Sequence, residues 1–201
     1  ISADQSGIHF NNKIVENDSL NPADNVNIYN GGGVGVGDFN RDGLPDVYFT
    51  GNQVANKLYL NKGKFKFEDI TDIAGVSGNG LWCKGVSVID INNDGWPDLY
   101  ISTSIYSDPA RRRNLLYINQ GNDAKGIPHF KEMAKEYGLD DTTHSTMAAF
   151  FDYDNDGDLD VIITVNQTSK SVNPNYFKPV IEDGSAPSTA RRSRSRARAS
   201  P

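Results

Sequence analysis

Three short stretches of the chain place acidic and amide side chains in the same nine-residue pattern. The clearest copy is Asp152–Asp160, which has carboxylates at positions 1, 3, 5 and 9 and Gly157 at position 6. The copies at 38–46 and 90–98 have asparagine at position 3, where an amide oxygen can replace a carboxylate oxygen. Three copies in the same local context are poorly explained by chance.

Oxygen-bearing side chains around a glycine suit a hard cation. Alternating side chains converge on one point only if the backbone curls around it, and Gly157 permits this because glycine readily adopts positive φ. Ca²⁺ takes roughly six to eight oxygen ligands, and grouped carboxylates repel one another without a cation. The pattern therefore predicts up to three calcium sites. The alternative is three solvated turns rich in Asp and Asn, which need no ion.

Two other calcium motifs begin in a similar way but do not fit. An EF-hand needs a glutamate at position 12 of its loop, and the three copies have Phe49, Ile101 and Ile163 there. A calcium β-roll needs the pattern G-G-x-G-x-D. The run that begins at Gly32 has Gly37 where that aspartate is required.

The residues around the loops alternate in the manner of β-strands, and the order of elements repeats. The first unit is predicted to contain four strands and a short helix, at 31–38, 46–50, 57–60, 65–70 and 71–75. The second unit matches it, with elements near 85–88, 98–102, 114–119, 130–133 and 134–138. The third unit has strands at 148–151 and 161–164 and then loses the pattern. A lead-in strand is predicted at Ile8–Phe10, followed by a long loop up to residue 30.

Four strands in a repeat of this length are typical of a propeller blade, which buries its apolar faces against its neighbours. We therefore predict an all-β fold: a partial β-propeller of two to three four-stranded blades with calcium loops. The blades are placed at about 31–80, 81–142 and 143–182, and the last is incomplete. The propeller is partial because whole propellers have about 4–8 blades. Residues 183–201 are predicted to be a disordered Arg/Ser tail.

Composition narrows the functional classes. The chain has 201 residues, a net charge of −6 and one cysteine, so an internal disulfide is excluded. No stretch approaches the roughly 18 consecutive apolar residues of a membrane span. The chain opens on Ile1 and shows no signal peptide, which suggests a processed or excised segment. Five arginines and no acid lie in the last 16 residues, but we expect no nucleic-acid partner.

The nonapeptides resemble the FG-GAP/VCBS-type repeat. Each is preceded by a small or apolar strand and followed by an apolar one. This repeat forms calcium-bearing blades in the head of integrin α-subunits and in many bacterial surface proteins. The resemblance covers about residues 31–166. The Leu-Tyr-x-Asn and Asp-Ile-Thr elements are similar to bacterial members that carry an ASPIC/UnbV domain. The literal Phe-Gly and Gly-Ala-Pro signatures are absent.

The resemblance implies a ligand role for five positions of each loop. Positions 1, 3, 5 and 9 give side-chain oxygens, and position 7 gives a backbone carbonyl. The implied ligands are Asp38, Asn40, Asp42, Leu44 and Asp46, then Asp90, Asn92, Asp94, Trp96 and Asp98, then Asp152, Asp154, Asp156, Asp158 and Asp160. Because ligand charge controls calcium affinity, the third loop, which has four carboxylates at the side-chain positions, is expected to bind most tightly if its blade is folded.

The resemblance also implies a function. We expect a calcium-binding extracellular, cell-surface or periplasmic module that binds an unidentified protein or glycan and packs against further blades. The alternative is a non-catalytic propeller part of a larger secreted carbohydrate-active enzyme. No enzymatic activity is expected, because His9, His129 and His144 are far apart in the sequence and no nucleophile or phosphate-binding motif is present. The basic run 111–113 is interpreted as a solvated loop, with ligand contact as the alternative.

Overall fold

The computed structural model describes residues 1–23 and 27–166. Within these ranges almost all regular structure is β. The predicted continuation of the third blade after residue 166 and the predicted tail at 183–201 lie outside the described residues. Among the described helices, none has the length and apolar character needed to cross a bilayer.

The described strands form three separate antiparallel sheets, which confirms the predicted all-β class. The first sheet has the order β1-β2-β3-β4, the second β5-β6-β7-β8, and the third is the pair β9-β10. The strands of the first sheet are β1 (Val34–Gly37), β2 (Asp46–Phe49), β3 (Lys57–Asn61) and β4 (Phe67–Asp69). Those of the second are β5 (Cys83–Ile89), β6 (Asp98–Thr103), β7 (Leu115–Asn122) and β8 (Pro128–Glu132). The third contains β9 (Ser145–Phe151) and β10 (Asp160–Val165).

Each acidic nonapeptide connects the first two strands of a sheet. Gly37 pairs with Asp46 across the first hairpin, Ile89 with Asp98 across the second, and Phe151 with Asp160 across the third. The three loops therefore share one register. The last aspartate of each loop is also the first residue of the strand that follows, so its backbone is held by the sheet.

Glycine in β1 allows the first and second sheets to pack closely. A Cβ on Gly35 would lie 2.9 Å from a methyl group of Val88, and one on Gly33 would lie 2.9 Å from the carbonyl oxygen of Lys84. The same relationship recurs between the second and third sheets, where a Cβ on Gly85 would lie 2.6 Å from the carbonyl oxygen of Thr146. Successive sheets thus face one another along their first strands, as stacked blades do. The described strands form no closed barrel, consistent with part of a propeller.

The apolar side chains between the sheets form two clusters. The first lies between sheets one and two and includes Phe39, Leu58, Leu99 and Leu115. The second lies between sheets two and three and includes Leu116, Ile118 and Ala148 along with other buried side chains. Strands β6 and β7 contribute to both clusters because alternate residues point to opposite faces of a sheet. The sheets are therefore buried by one another.

Two short elements differ from the sequence prediction. Ile8–Phe10 is not a strand; the N-terminal region instead contains a short helix, α1 (Ala3–Ser6), and Phe10 stacks on Phe49 with ring centroids 5.0 Å apart. The alternation there reflects aromatic packing rather than strand pairing. The predicted helix at 71–75 is present as α2 (Thr71–Ala74), whereas residues 134–138 form hydrogen-bonded turns rather than a helix.

Candidate metal sites

The first acidic loop is folded around the carboxylate of Asp38. One oxygen of Asp38 accepts a hydrogen bond from the backbone N–H of Asp42 at 3.0 Å, and the other accepts from Gly43 at 2.8 Å. Asp42 in turn accepts from the backbone N–H of Leu44 at 2.8 Å. The backbone thus curls around the acidic side chains.

The second and third loops repeat this arrangement. In the second, Asp90 accepts from the backbone N–H groups of Asp94 and Gly95 at 3.0 and 2.7 Å. In the third, Asp152 accepts from those of Asp156 and Gly157 at 3.2 and 3.1 Å. The position-5 carboxylate also accepts from the N–H of position 7 in both loops, from Trp96 at 2.8 Å and from Asp158 at 3.0 Å. The sequence repeat is therefore a repeat of conformation.

Two positions in every loop have positive φ. At position 6, φ is 85° for Gly43, 82° for Gly95 and 91° for Gly157, as the sequence predicts. At position 4, φ is 56° for Arg41, 55° for Asn93 and 59° for Asn155. Asparagine tolerates this left-handed region, whereas arginine is uncommon there. The positive φ at position 4 was not predicted from the sequence, although the asparagines at this position in two of the loops indicate it.

The position-9 aspartates of the first two loops are fully buried. The carboxylate of Asp46 accepts hydrogen bonds from the backbone N–H groups of Phe39 at 2.9 Å and Asn61 at 2.8 Å. Asp98 accepts equivalent bonds from Ile91 at 3.0 Å and Asn119 at 2.8 Å. Each carboxylate therefore joins its loop to the third strand of the same sheet.

Burial raises the pKa of both carboxyl groups. The pKa of Asp46 rises to about 6 and that of Asp98 to about 7, because desolvation outweighs the two backbone hydrogen bonds that favour the ionised form. The neighbouring loop aspartates add a smaller effect in the same direction. A cation in the loop would supply the positive charge that these buried groups lack.

The third loop differs at this position. Asp160 accepts from the backbone N–H of Tyr153 at 3.0 Å and is only half-buried. The carboxylates at positions 1, 3 and 5 of the third loop, those of Asp152, Asp154 and Asp156, are exposed. Each offers an oxygen within 4.8 Å of the others. In the first two loops the position-3 asparagine side chain instead donates to the position-5 carboxylate, from Asn40 to Asp42 at 3.0 Å and between the equivalent residues of the second loop at 2.8 Å.

The donor set fits a calcium ion in chemical type. Every side chain at positions 1, 3, 5 and 9 offers oxygen, and no sulfur or imidazole is present at these positions. The structure gathers the three carboxylates of the third loop and gives the other two loops the same backbone conformation. The position-7 residues Leu44, Trp96 and Asp158 lie on the same curled backbone, and their N–H groups bond to the position-5 carboxylate.

The histidines do not form a catalytic group among the described residues. His144 lies 3.4 Å from Ser104, between imidazole Nδ1 and hydroxyl Oγ, and its pKa is lowered by burial and by the nearby charge of Arg112. His129 lies 3.5 Å from the carboxylate of Asp123. His9 is exposed. The three imidazoles thus have different surroundings.

The basic run 111–113 is largely engaged within the fold. Arg112 donates to the backbone carbonyls of Tyr106 and Ser107, at 2.8 and 2.5 Å, and Arg113 pairs with Glu132 at 3.1 Å. Arg111 is exposed and stacks over the ring of Tyr106, with its guanidinium carbon 3.6 Å from the ring centroid. Arg112 therefore stabilises the loop that precedes β7, and Arg113 joins the end of that loop to β8.

Comparison with known proteins gives a family for the first two loops. Residues 38–101 match the family model of the FG-GAP-like repeat, which covers both loops and the strands between them. This stretch of the chain is an FG-GAP-like repeat. The resemblance inferred from the nonapeptides is thereby confirmed over residues 38–101.

The chain is also similar to three vertebrate proteins named cartilage acidic protein 1. The one from Xenopus tropicalis is 26% identical over 163 residues, which cover 80% of this chain and 24% of the relative. Those from Mus musculus and Homo sapiens are 27% identical over 137 residues, which cover 67% of this chain and 20% of each relative. The chain therefore spans about a quarter or less of the length of these relatives.

Proposed function

We propose that this FG-GAP-like chain is a calcium-stabilised extracellular module that binds a protein or glycan. The observation that carries the calcium assignment is what the three loops share: backbone N–H groups that bond to the position-1 carboxylate, and positive φ at positions 4 and 6. Three unrelated solvated turns would not be required to share one backbone conformation, and the third loop also gathers three carboxylate oxygens. The family match and the similarity to cartilage acidic protein 1 support an extracellular location.

The ligands in this proposal are those implied by the sequence. Side-chain oxygens come from positions 1, 3, 5 and 9 of each loop, and the backbone carbonyl of position 7 completes the set. Calcium would neutralise the grouped carboxylates and, in the first two loops, would stabilise the ionised form of the buried Asp46 and Asp98. The role of the ion is structural, because each loop joins the first two strands of its sheet and its last aspartate begins the second strand.

An extracellular setting matches sites of this kind. The side chains at positions 1, 3 and 5 of all three loops are exposed or half-exposed, so modest affinity is expected. Millimolar calcium outside cells fills sites with dissociation constants of about 10⁻⁴–10⁻³ M without further regulation. The binding partner would contact a surface kept in shape by these ions rather than the ions themselves. No enzymatic step is required of the chain.

The experiment that tests the proposal screens the purified chain against arrays of glycans and matrix proteins, with calcium and with EDTA. We expect at least one reproducible ligand in calcium and loss of that binding in EDTA. The matched control is the triple variant Asp42→Ala, Asp94→Ala, Asp156→Ala, which should bind poorly in both buffers. Equal binding by this variant and the unmutated chain in calcium would contradict a calcium-stabilised binding module. Turnover of a glycan on the same array would contradict a non-enzymatic function.

A further inference from the structure

Arg41 extends from the first loop to the second. Its Nε donates to the backbone carbonyl of Gly95 at 2.9 Å, and one terminal nitrogen donates to the carbonyl of Asp94 at 3.2 Å. The guanidinium carbon also lies 4.3 Å from the ring centroid of Trp96. One side chain of loop one thus contacts positions 5, 6 and 7 of loop two.

The second sheet holds the first loop from the other direction. The side-chain amide of Asn119 donates to the carbonyl of Phe39 at 2.9 Å, and that of Asn122 donates to the carbonyl of Asn40 at 2.8 Å. Both donors lie on β7, at the end nearest the loops. The carbonyls at positions 2 and 3 of loop one are therefore fixed by the sheet that carries loop two.

Arginine is the unusual residue at its position. Position 4 has positive φ in all three loops, and asparagine fills it in the other two, as Asn93 and Asn155. Arginine gains nothing locally from this conformation, so its contacts with loop two must compensate for it. The approach is close, since a Cβ on Gly95 would overlap a terminal nitrogen of Arg41. Glycine itself stands at position 6 of all three loops because φ there is positive.

We propose that Arg41 is a positioning residue that couples calcium binding at loop one to calcium binding at loop two. This proposal rests on the calcium sites proposed above. Arg41 lies between two implied ligands of loop one, Asn40 and Asp42, and it contacts the backbone between two implied ligands of loop two. When an ion orders one loop, the contacts of Arg41 restrict the other, so the second ion has less conformational entropy to overcome. Thermodynamic linkage makes the effect equal in both directions.

The positive charge of Arg41 acts in the opposite sense, because it lies near the cation of loop two. It is exposed, and solvent screens such a charge, whereas the hydrogen bonds act directly on the backbone of the loop. Ordering is therefore expected to exceed repulsion. Arg41→Lys retains the charge but lacks the planar fork that donates to two carbonyls and stacks on Trp96. Arg41→Asn removes both the charge and the planar fork, and it places at position 4 the residue found in the other two loops.

The test is a thermodynamic cycle on the full chain. Calcium is titrated while the emission of Trp96, which lies in loop two, is followed, and Trp96→Phe verifies the source of the signal. Asp38→Ala disables loop one. We expect it to lower the calcium affinity of loop two about fivefold in the Arg41 background. We expect a change of less than about twofold in the Arg41→Asn and Arg41→Lys backgrounds. Disabling loop three by Asp152→Ala, the matched control, should leave loop two unchanged.

The effect of Asp38→Ala on the calcium affinity of loop two is compared among chains with arginine, asparagine or lysine at position 41. If Asp38→Ala lowers the affinity of loop two equally in all of them, or in none of them, the coupling role of Arg41 is overturned while the calcium sites stand. If Arg41→Lys couples the loops as well as arginine does, the planar fork is not the cause and the proposal is overturned. If the unmutated chain shows no calcium binding at all, both this proposal and the calcium assignment are overturned.

Discussion

The side-chain amide of Asn56 donates a hydrogen bond to the hydroxyl of Tyr48 at 2.8 Å, and both residues are buried between the first two sheets. The oxygen of the same amide accepts from the backbone N–H of Gly51 at 2.7 Å, and its nitrogen also contacts the sulfur of Cys83 at 3.4 Å. Tyr48 completes the group by donating to the carbonyl of Val76 at 2.7 Å.

The second and third sheets are joined in the same way. Asn114 accepts from the backbone N–H of Thr103 at 2.8 Å and donates to Tyr100 at 2.9 Å and to Ser145 at 3.0 Å. Tyr100 donates to the carbonyl of Leu139 at 3.0 Å. Each network links a sheet to the first strand of the next, so it fixes the spacing of neighbouring blades.

The first prediction concerns these networks. Asn56→Ala should lower the free energy of unfolding by about 1–3 kcal/mol, because it leaves the buried N–H of Gly51 without a partner. Asn114→Ala should have a similar effect through Thr103. Chemical denaturation measures both, and Asn11→Ala, at an exposed position, is the matched control. A loss no larger than that of the control would show that the networks are not stabilising.

The second prediction concerns the thiol of Cys83. This residue is fully buried, and burial raises the pKa of its thiol to about 12. Because the thiolate is the reactive form, the native protein should not react with a thiol reagent at a pH of about 8 over a time in which the denatured protein reacts completely. The measurement is the rate of chromophore release from an aromatic disulfide reagent, with and without guanidinium. Rapid reaction of the native chain would indicate that the first two sheets separate readily.

The third prediction concerns pH in the absence of calcium. Asp98 has a raised pKa of about 7 in the folded chain, against an ordinary value of 3.8, so the folded form holds its proton more tightly than the unfolded form. The stability that this group contributes is fully present below pH 3.8 and is lost as the pH rises through about 7. Asparagine at this position does not titrate. Its amide NH₂ cannot accept one of the two backbone N–H bonds from Ile91 and Asn119, but that loss does not vary with pH.

The measurement compares melting temperatures of the unmutated chain and Asp98→Asn in EDTA from about pH 5 to about pH 8, the range that spans the raised pKa. We expect the unmutated chain to lose stability relative to Asp98→Asn as the pH rises. The comparison removes contributions shared by the two proteins, including that of His144. A difference that is constant with pH would contradict a raised pKa at Asp98. Adding calcium should reduce the pH-dependent loss, because the ion favours the ionised carboxylate and releases the proton.

The fourth prediction concerns ligand charge in loop one. The side chain of Asn40 donates to the carboxylate of Asp42 at 3.0 Å. Asn40→Asp replaces this hydrogen bond by repulsion between two carboxylates, so the melting temperature in EDTA should fall by a few degrees. In saturating calcium the additional charge should increase affinity, so the same variant should gain more from the ion than the unmutated chain.

The reverse change in loop three provides the matched control. Asp154→Asn should raise stability in EDTA and lower the calcium affinity of that loop. Melting temperatures measured with and without calcium for both variants test the two directions together. If calcium stabilises Asn40→Asp no more than it stabilises the unmutated chain, then loop rigidity rather than ligand charge controls affinity. The expected ranking, with loop three tightest, would then be wrong.

Much of the fold could be predicted from the sequence because its determinants are local. Asp-rich turns, alternating apolar residues and repeated Leu-Tyr-x-Asn elements identify the hairpins and their order. The prediction at Ile8–Phe10 was wrong because three alternating residues cannot distinguish a strand from an aromatic contact with Phe49. The helix predicted at 134–138 was also wrong, since a glycine stop is shared by helices and by hydrogen-bonded turns.

The features missed from the sequence depend on neighbours in space. The buried carboxylate of Asp98 accepts a hydrogen bond from a backbone N–H of β7. Arg41 donates to a carbonyl that lies 54 residues away in the chain. Asn56 lies just before a repeated Leu-Tyr-x-Asn element, but its role in the network with Tyr48 and Cys83 depends on the stacking of the sheets. Local spacing identified the loops, whereas only the packed sheets show how one loop contacts the next.

Calcium stoichiometry tests the central claim most directly. Equilibrium dialysis of the unmutated chain against calcium, compared with Asp42→Ala, Asp94→Ala and Asp156→Ala, counts the ions that each loop holds. The account predicts saturable binding that falls by one ion per chain in each single variant, and no specific binding when all three substitutions are combined. Calcium binding that is unchanged in the triple variant, or absent from the unmutated chain at millimolar calcium, would contradict it.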